Sequence, residues 1–594
     1  MQTVSQKWKD AQNELLAPES YVEVVLAMTD PDAYADASAD DGGDNITISD
    51  VEQIVGVVDK DIVPYVTLER NLWILDGSQE IIPKSNRGDC GYISRTYSGI
   101  TRKFSTHPMI DVYFSRVHHN LIQGITIEWG SAFDEFAVDF TVTAYNGNTV
   151  VAKKEVVGNT EVRSVVYVDI VDYDRINIEI IKWCLPFHRA RIADILPGVE
   201  KTYSKKDLFS YEHSQEVDPI SSSLPKSEIS FSIDNSDNSY NPNNLNGLSK
   251  YLIERQEIKS RYGYKIDGRT EWIDCGVFYI SEWDAPQGGM TAEFTARDLL
   301  EFMTGTYYYG VYAPNGISLY DLALSVLQDA DLPLGDDGNT KWVIDESLKD
   351  IYTIAPLPID THANCLQLIA NAGGCVIYQD RKGVLHIEPN TMPDTDYAIT
   401  HFNSYSKSDV SLSKPLKQVE VPCYSYSIAS DRSELYNGAI TISGTQNVLV
   451  SYSSTATNVT ASVIGGTLNS ATYYANSCVL NITGNGAVSI TVTGKSLESS
   501  SFKVVIPSGE KGETITVDNM LITSQDRAIA IGNWVEAYMK NRMVLESEWR
   551  ADPRLDALDV VTNENDYNTN RVVMTRVKYS YNGAFKGSGE GRVI

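Results

Sequence analysis

The side chains best able to do chemistry in this chain are aromatic and acidic. Trp73, Trp129, Phe133, Trp183, Phe187 and His188 lie among short β-type segments. Flat rings beside polar groups at one end of a β-sandwich offer a sugar ring something to stack on, whereas core packing is the commoner use of large aromatics in such a fold. A second concentration, from Asp30 to Asp50, contains seven Asp. A calcium loop needs ligands at tighter, regular spacing, so this stretch reads as a solvated loop and not a metal site. With 79 Asp and Glu in the chain, chance carboxylate pairs of glycosidase type are inevitable and carry no information. No Gly-x-x-x-x-Gly-Lys-Ser/Thr, His-Glu-x-x-His, Gly-x-Ser-x-Gly or Cys-x-x-Cys occurs. His118 and His119 are adjacent, so on a strand they point to opposite faces and make poor joint ligands. The chain therefore reads as a non-enzyme with no cofactor and no metal.

The 594 residues are too many for one hydrophobic core and suggest several domains. A formal net charge of -30 repels a phosphate backbone, which argues against sequence-specific nucleic-acid binding. It also suits the lining of a conduit through which DNA passes without sticking. Cys90, Cys184, Cys275, Cys365, Cys375, Cys423 and Cys478 are scattered and odd in number, as expected of reduced, mostly core thiols. The amino terminus lacks the apolar segment of a signal peptide, and no run approaches about 18 apolar residues, so synthesis in a cytoplasm without membrane insertion is expected.

Elements that could position these groups are mostly strands. Tyr21 to Ala27 is a strand candidate, and from Thr67 to Pro197 a series of short β segments with turns such as Asn146-Gly147-Asn148 predicts a sandwich. Glu228 to Ile233 alternates and then meets the Asp/Asn/Ser run ending at Pro242, where side chains cap freed backbone groups. Asp298 is placed as a helix N-cap after the strand Met290 to Ala296. Helices follow Ser318 and Thr361, the second stopping at Gly373-Gly374. A hairpin comes next, Cys375 to Gln379 and Val384 to Glu388 around Asp380-Arg381-Lys382-Gly383. From Tyr436 to Val505 the chain is Ser/Thr/Asn/Gly-rich, of low charge, with regular turns, as in a small inserted sandwich. Thr523 and Asp526 read as a capping-box variant for a helix carrying Ala528, Ile531, Trp534, Val535 and Tyr538.

Three of these segments resemble phage tail hub and tail-tip proteins. Ile233-Asp234-Asn235-Ser236-Asp237-Asn238-Ser239-Tyr240-Asn241-Pro242-Asn243 is similar to the family's Leu-Asp-Asn-Ser-Asp-Gly-x-Phe-x-Pro-x-Asn, with Asn238 where Gly is usual. Helix, Gly-Gly, strand, Asp-Arg-x-Gly turn and strand over residues 361–388 is the second match. Asp552-Pro553-Arg554-Leu555 through Asp559, followed by Tyr581-Asn582-Gly583-Ala584-Phe585-Lys586-Gly587, is the third. Leu72-Trp73-Ile74-Leu75-Asp76-Gly77, Val112 to Ser115 and Ile125 to Trp129 look like a jelly roll of the galactose-binding type.

The expected fold class is mainly β with minor α, multidomain, built of hub-type barrels with short helices and two inserted sandwiches. The division implied is a first barrel from 1–66 and 196–303, a galactose-binding-like sandwich at 67–195, an α+β domain at 304–400, a closing domain from 401–435 and 511–594, and a small sandwich at 436–510. The resemblance implies a structural protein of a virion tail, assembled in the bacterial cytoplasm as a homo-oligomeric ring, with a trimer favoured. It would surround the exit channel and contact tail tube, tape-measure and baseplate proteins. Its sandwiches would touch host-surface glycans or neighbouring proteins. The alternative is a carbohydrate-binding or glycan-degrading surface protein, for which the 67–195 sandwich speaks.

Overall fold

The computed structural model describes all residues except 30, 45, 47–48, 50, 56–65, 68, 70–71, 73–90, 245–247, 250–251, 253–254, 287 and 334–339. The protein is mainly β with a few short helices. Lys226–Asp234 shows how the strands arise: Ile229, Phe231 and Ile233 alternate with polar residues and are buried. Its neighbours are Leu208–Glu216 and Thr291–Arg297, both antiparallel, and Phe231 stacks on Phe294 with ring centroids 5.2 Å apart.

That strand sits near the middle of a sheet with 15 strands among the described residues. On one side the sheet continues through Arg269–Asp284, Glu257–Ile266, Ser20–Thr29 and Asp194–Tyr203 into Ile122–Glu128 and Arg163–Ile170. On the other it passes from Leu208–Glu216 directly to Thr569–Tyr581, Phe585–Val593, Met543–Arg550 and Asp409–Leu412. The segments expected to form a first barrel and a closing domain therefore share one hydrogen-bonded sheet. The seam pairs Tyr211 with Tyr581 and His213 with Tyr579, and one core runs from Trp8 through Tyr262 to Phe585.

A second core joins the helices to this sheet. Leu319–Asp329 is capped by Ser318, whose side chain accepts from Asp321 N, and His362–Gly373 is capped by Thr361. Gly374 ends the latter at φ 59°, a left-handed position that suits glycine. Cys375–Gln379 and Leu385–Pro389 form the expected hairpin, which Trp342–Ile344 joins in parallel. Gln525–Met539 is capped by Ser524, one residue after the expected Thr523, which instead accepts from Ile354 N.

In the larger sandwich Ser38–Asp40, Met109–His118, Tyr173–Trp183, Ala137–Asn146 and Thr149–Val157 form a five-stranded sheet over Ile122–Glu128 and Arg163–Ile170. Part of the Asp30–Asp50 stretch, expected as a solvated loop within the first barrel's span, is instead ordered: Pro31–Asp36 is helical and Ser38–Asp40 pairs Ala39 with Val112, because small Ala33 and Ala39 are buried in this core. His118 is buried beside Asp36 and His119 exposed beside Asp172, as alternation requires. In the region expected to be a small sandwich, Ser433–Ser451, Ala456–Ile464 and Thr467–Tyr473 all pair with the 31-residue strand Ser477–Pro507 in one sheet. That strand then leaves the insert and pairs with Leu416–Ile428. Six described cysteines are free thiols, five of them buried; Cys90 lies outside the described residues.

Candidate functional site

The six sequence candidates separate sharply by burial. Trp129 and Trp183 have no exposed surface: Trp129 donates to Ser164 Oγ at 2.8 Å and packs edge-on against Phe140 and Trp183. They fill the sandwich core and offer no platform to a sugar. Phe133 is half-buried with the Arg191 guanidinium 5.0 Å from its ring centre, and His188 is buried. Phe187 is 46% exposed. Trp73 lies outside the described residues.

Sequence reasoning missed the residue that organises this end of the sandwich, Glu135. Its Oε2 accepts from Trp183 Nε1 at 2.7 Å and lies 3.3 Å from Arg191, while Oε1 stands 2.7 Å from His188 Nδ1. Arg191 also pairs with buried Glu69, which stands 3.3 Å from Arg189 Nε. Burial drives the His188 imidazole down, but the hydrogen bond and charge of Glu135, with Glu69 behind it, outweigh burial and hold it above the ordinary histidine value. One lone Glu after a short aromatic run carries no sequence signal of such a role. The network fixes the 184–188 turn: Phe187 N donates to Ser98 O at 3.0 Å, and Ser98 Oγ donates to Leu185 O at 2.7 Å. Phe187 is thereby held at φ 64°, an outlier for a bulky residue, with its side chain 46% exposed. With Trp183, His188 and Arg191 all engaged by Glu135, the network ties the residues before and after Phe187 to the sandwich core.

The second cluster brings two of the three hub-like segments together. Buried Arg381, from the Asp-Arg-Lys-Gly turn, donates from Nε to Asp556 Oδ1 at 2.7 Å, from Nη1 to Asp274 O at 2.9 Å and from Nη2 to Leu555 O at 3.2 Å. Asp380 closes the turn, accepting from Lys382 N and Val384 N; burial alone would raise its carboxyl, yet His386 and those amides hold it below the usual range. Next to it, Gln379 accepts from Leu299 N and donates to Val277 O. Asp552 accepts from Trp8 Nε1 at 3.0 Å and from Arg554 Nε at 2.7 Å. Burial raises the Asp552 carboxyl despite Arg554. These carboxylates are spent on holding chain to chain.

The remaining segment, Ile233 to Asn243, packs into the core that runs from Trp8 to Phe585. Asp234, Asn235 and Asp237 accept from Ser236 N, Tyr240 N and Ser239 N, so they cap turns. Asn238 sits at φ 55°, which explains why glycine is usual there. Tyr240 is driven into the core, edge-on to Phe294 and hydrogen-bonded to Tyr203. Among the described residues no group of three or more His, Cys, Asp or Glu is arranged to hold a metal ion, and no helix is long and apolar enough to cross a membrane.

No family model matches the chain, and no curated protein matches it. Solved structures do show likeness at low overlap. A 43 kDa tail protein of prophage MuSo2 from Shewanella oneidensis is similar over 66% of this chain and 95% of its own, at 9% identity and TM-score 0.36. A tail protein from Neisseria meningitidis is similar over 66% and 93%, at 10% identity and TM-score 0.37. An Escherichia coli component of the type VI secretion system is similar over 65% and 74%, at 9% identity and TM-score 0.31.

Proposed function

We propose that this chain is a structural protein of a phage or phage-like tail, a hub that joins the tail tube to the baseplate or tip. The observation that carries the reading is the Arg381 junction, where residues of two hub-like segments meet beside one sheet that runs through both the Leu208–Glu216 and the Thr569–Tyr581 strands. Such a weld makes a stiff body, and it uses its buried charges for cohesion. In this reading the chain assembles in the bacterial cytoplasm as a ring, with a trimer favoured, and is carried in the virion tail. Its partners are tube, tape-measure and baseplate proteins, and the function resides in subunit interfaces and not in catalysis. The net charge of -30 fits a channel wall that DNA does not stick to. Negative-stain electron microscopy of the purified protein is expected to show threefold rings. A stable monomer under assembly conditions would overturn the hub.

The exposed, strained Phe187 favours a second, additional role for the larger sandwich, contact with a host-surface glycan through Phe187 and Phe133. A glycan array with the whole chain and with Phe187→Ala tests it. Equal signals for the two proteins, or none at millimolar sugar, would remove the adhesive role and leave the hub standing.

A further inference from the structure

An Asn-Gly pair can modify itself, because the glycine amide nitrogen meets no side chain of its own on the way to the asparagine carboxamide. The chain has six such pairs, at Asn146, Asn246, Asn315, Asn437, Asn485 and Asn582. Asn246 lies outside the described residues. In four of the other five the groups that would react are held. Gly147 N donates to Asp174 Oδ2 at 2.8 Å, and Gly316 N donates to Ala313 O at 2.8 Å. Gly438 lies in a ladder opposite Ile490, and the Asn437 carboxamide donates to Glu434 Oε2 at 3.1 Å. Gly486 lies opposite Ile442, and the Asn485 carboxamide accepts from Gly444 N at 3.2 Å. Asn582-Gly583 is held by none of these means. It belongs to the exposed turn, Asn582 to Ala584, between Thr569–Tyr581 and Phe585–Val593. Neither the Asn582 side chain nor Gly583 N has a hydrogen-bond partner among the described residues. Gly583, at φ 105°, faces open space: a Cβ added there would meet nothing within 4 Å.

We propose that Asn582 is a site of spontaneous isoaspartate formation. Gly583 N attacks Asn582 Cγ. The new N–Cγ bond closes a succinimide ring, the Cγ–Nδ2 bond breaks, and ammonia departs with the proton of the Gly583 amide. Water then opens the ring. Attack at Cγ leaves aspartate, whereas attack at the Asn582 carbonyl carbon leaves isoaspartate, with the backbone rerouted through Cγ. Water is the sole co-reactant. The rerouted chain carries one extra backbone carbon and a new negative charge, and the register of a hairpin is set by its turn. The residues spaced by this turn are core aromatics: Tyr581 pairs with Phe585, their ring centres 5.1 Å apart. Phe585 packs edge-on against Tyr262 at 5.3 Å and Tyr264 at 5.5 Å. Tyr581 lies opposite Tyr211 and donates to Ser20 O at 3.1 Å. Ageing at Asn582 therefore loosens the seam where the Leu208–Glu216 and Thr569–Tyr581 strands meet.

The test is timed incubation of the whole chain at mildly alkaline pH, folded and in parallel in concentrated urea, followed by peptide mass spectrometry and labelling with an isoaspartyl methyltransferase. In the folded protein the Asn582 peptide is expected to convert at least tenfold faster than those of Asn146, Asn315, Asn437 and Asn485, and to take the label. In urea the rates of the pairs are expected to converge. Equal rates in the folded protein overturn the assignment, and so does the same ranking in urea, since neighbouring residues and not the fold would then set it. The aged wild type is expected to melt at a lower temperature than the fresh protein, while freshly prepared Asn582→Asp, which adds the charge without rerouting the backbone, keeps the fresh midpoint. An aged sample that melts with the fresh protein overturns the loosening of the seam.

Discussion

Arg381 Nε stands 2.7 Å from Asp556 Oδ1, joining residues 175 apart in sequence. The guanidinium is 4% exposed and the carboxylate 18%, so neither is freely solvated, and the Asp274 and Leu555 carbonyls accept from Nη1 and Nη2. A buried pair of this kind adds little net stability over an apolar pair, yet removing one member leaves the other stranded.

Arg381→Met should therefore destabilise the protein by about 3–5 kcal/mol, seen as a lowered thermal midpoint. Lys407→Met, which removes an exposed pair with Asp566, should leave that midpoint where it is. Similar midpoints for the two variants would show that the Arg381 junction does not weld the domains.

The pH dependence of stability should hide two opposed slopes. Burial, helped by the charge of Arg381, lowers His213 to about 3 from 6.5. The unfolded chain then takes up a proton that the native one refuses, so this contribution is complete above pH 6.5 and is lost as pH falls toward 3. Burial raises Asp298 to about 7 from 3.8, against the amides of Leu300 and Ser227. Its contribution is complete below pH 3.8 and is lost as pH rises through 7. Between about pH 4 and 6.5 the two oppose each other. His213→Gln should make stability fall more steeply with rising pH in that window, and Asp298→Asn should make it rise. Urea melts at pH 4.5, 5.5 and 6.5 measure the slopes, and variant slopes equal to the wild type's would contradict the assignment.

Gly374→Ala should cost about 1–2 kcal/mol in the same melts, because an L-residue is forced into the left-handed cap. The added Cβ would also lie 2.8 Å from Arg527 Nη2. A change within a few tenths would mean that the helix ends in another way.

At position 238, Gly should be at least as stable as Asn, whereas Val should cost about 1–2 kcal/mol. The backbone there has φ 55°. A tolerated Val would show that the turn opens without consequence for Tyr240.

Much of the local structure was legible in the sequence, because caps and alternation are written within a few residues of where they act. Ser318, Thr361 and Asp298 cap the helices they were expected to cap, and the Cys375 hairpin falls within a residue of its expected limits. The mainly β fold class follows from the same signals. What the sequence concealed is partner choice. Nothing near Tyr211 announces that Tyr581 lies opposite, 370 positions away, and Ala39 alone does not point to Val112. The candidate aromatics illustrate the limit. Period-2 patterning says which residues share a face, but Trp129 and Phe187 look alike until the Glu135 network draws one end of the sandwich inward and turns Phe187 out.

The strand Ser477–Pro507 belongs to two bodies at once, crossing from the small sandwich to the Leu416–Ile428 pairing without a break. Residues 436–510 therefore cannot be excised or grafted as a cassette, since any cut strips a bonding partner from the remaining domain. The crossing also has no loop to act as a hinge, so a load applied at the tip of the insert passes along backbone hydrogen bonds in shear. The 436–510 insert is built as a lever arm and not as a tethered flag.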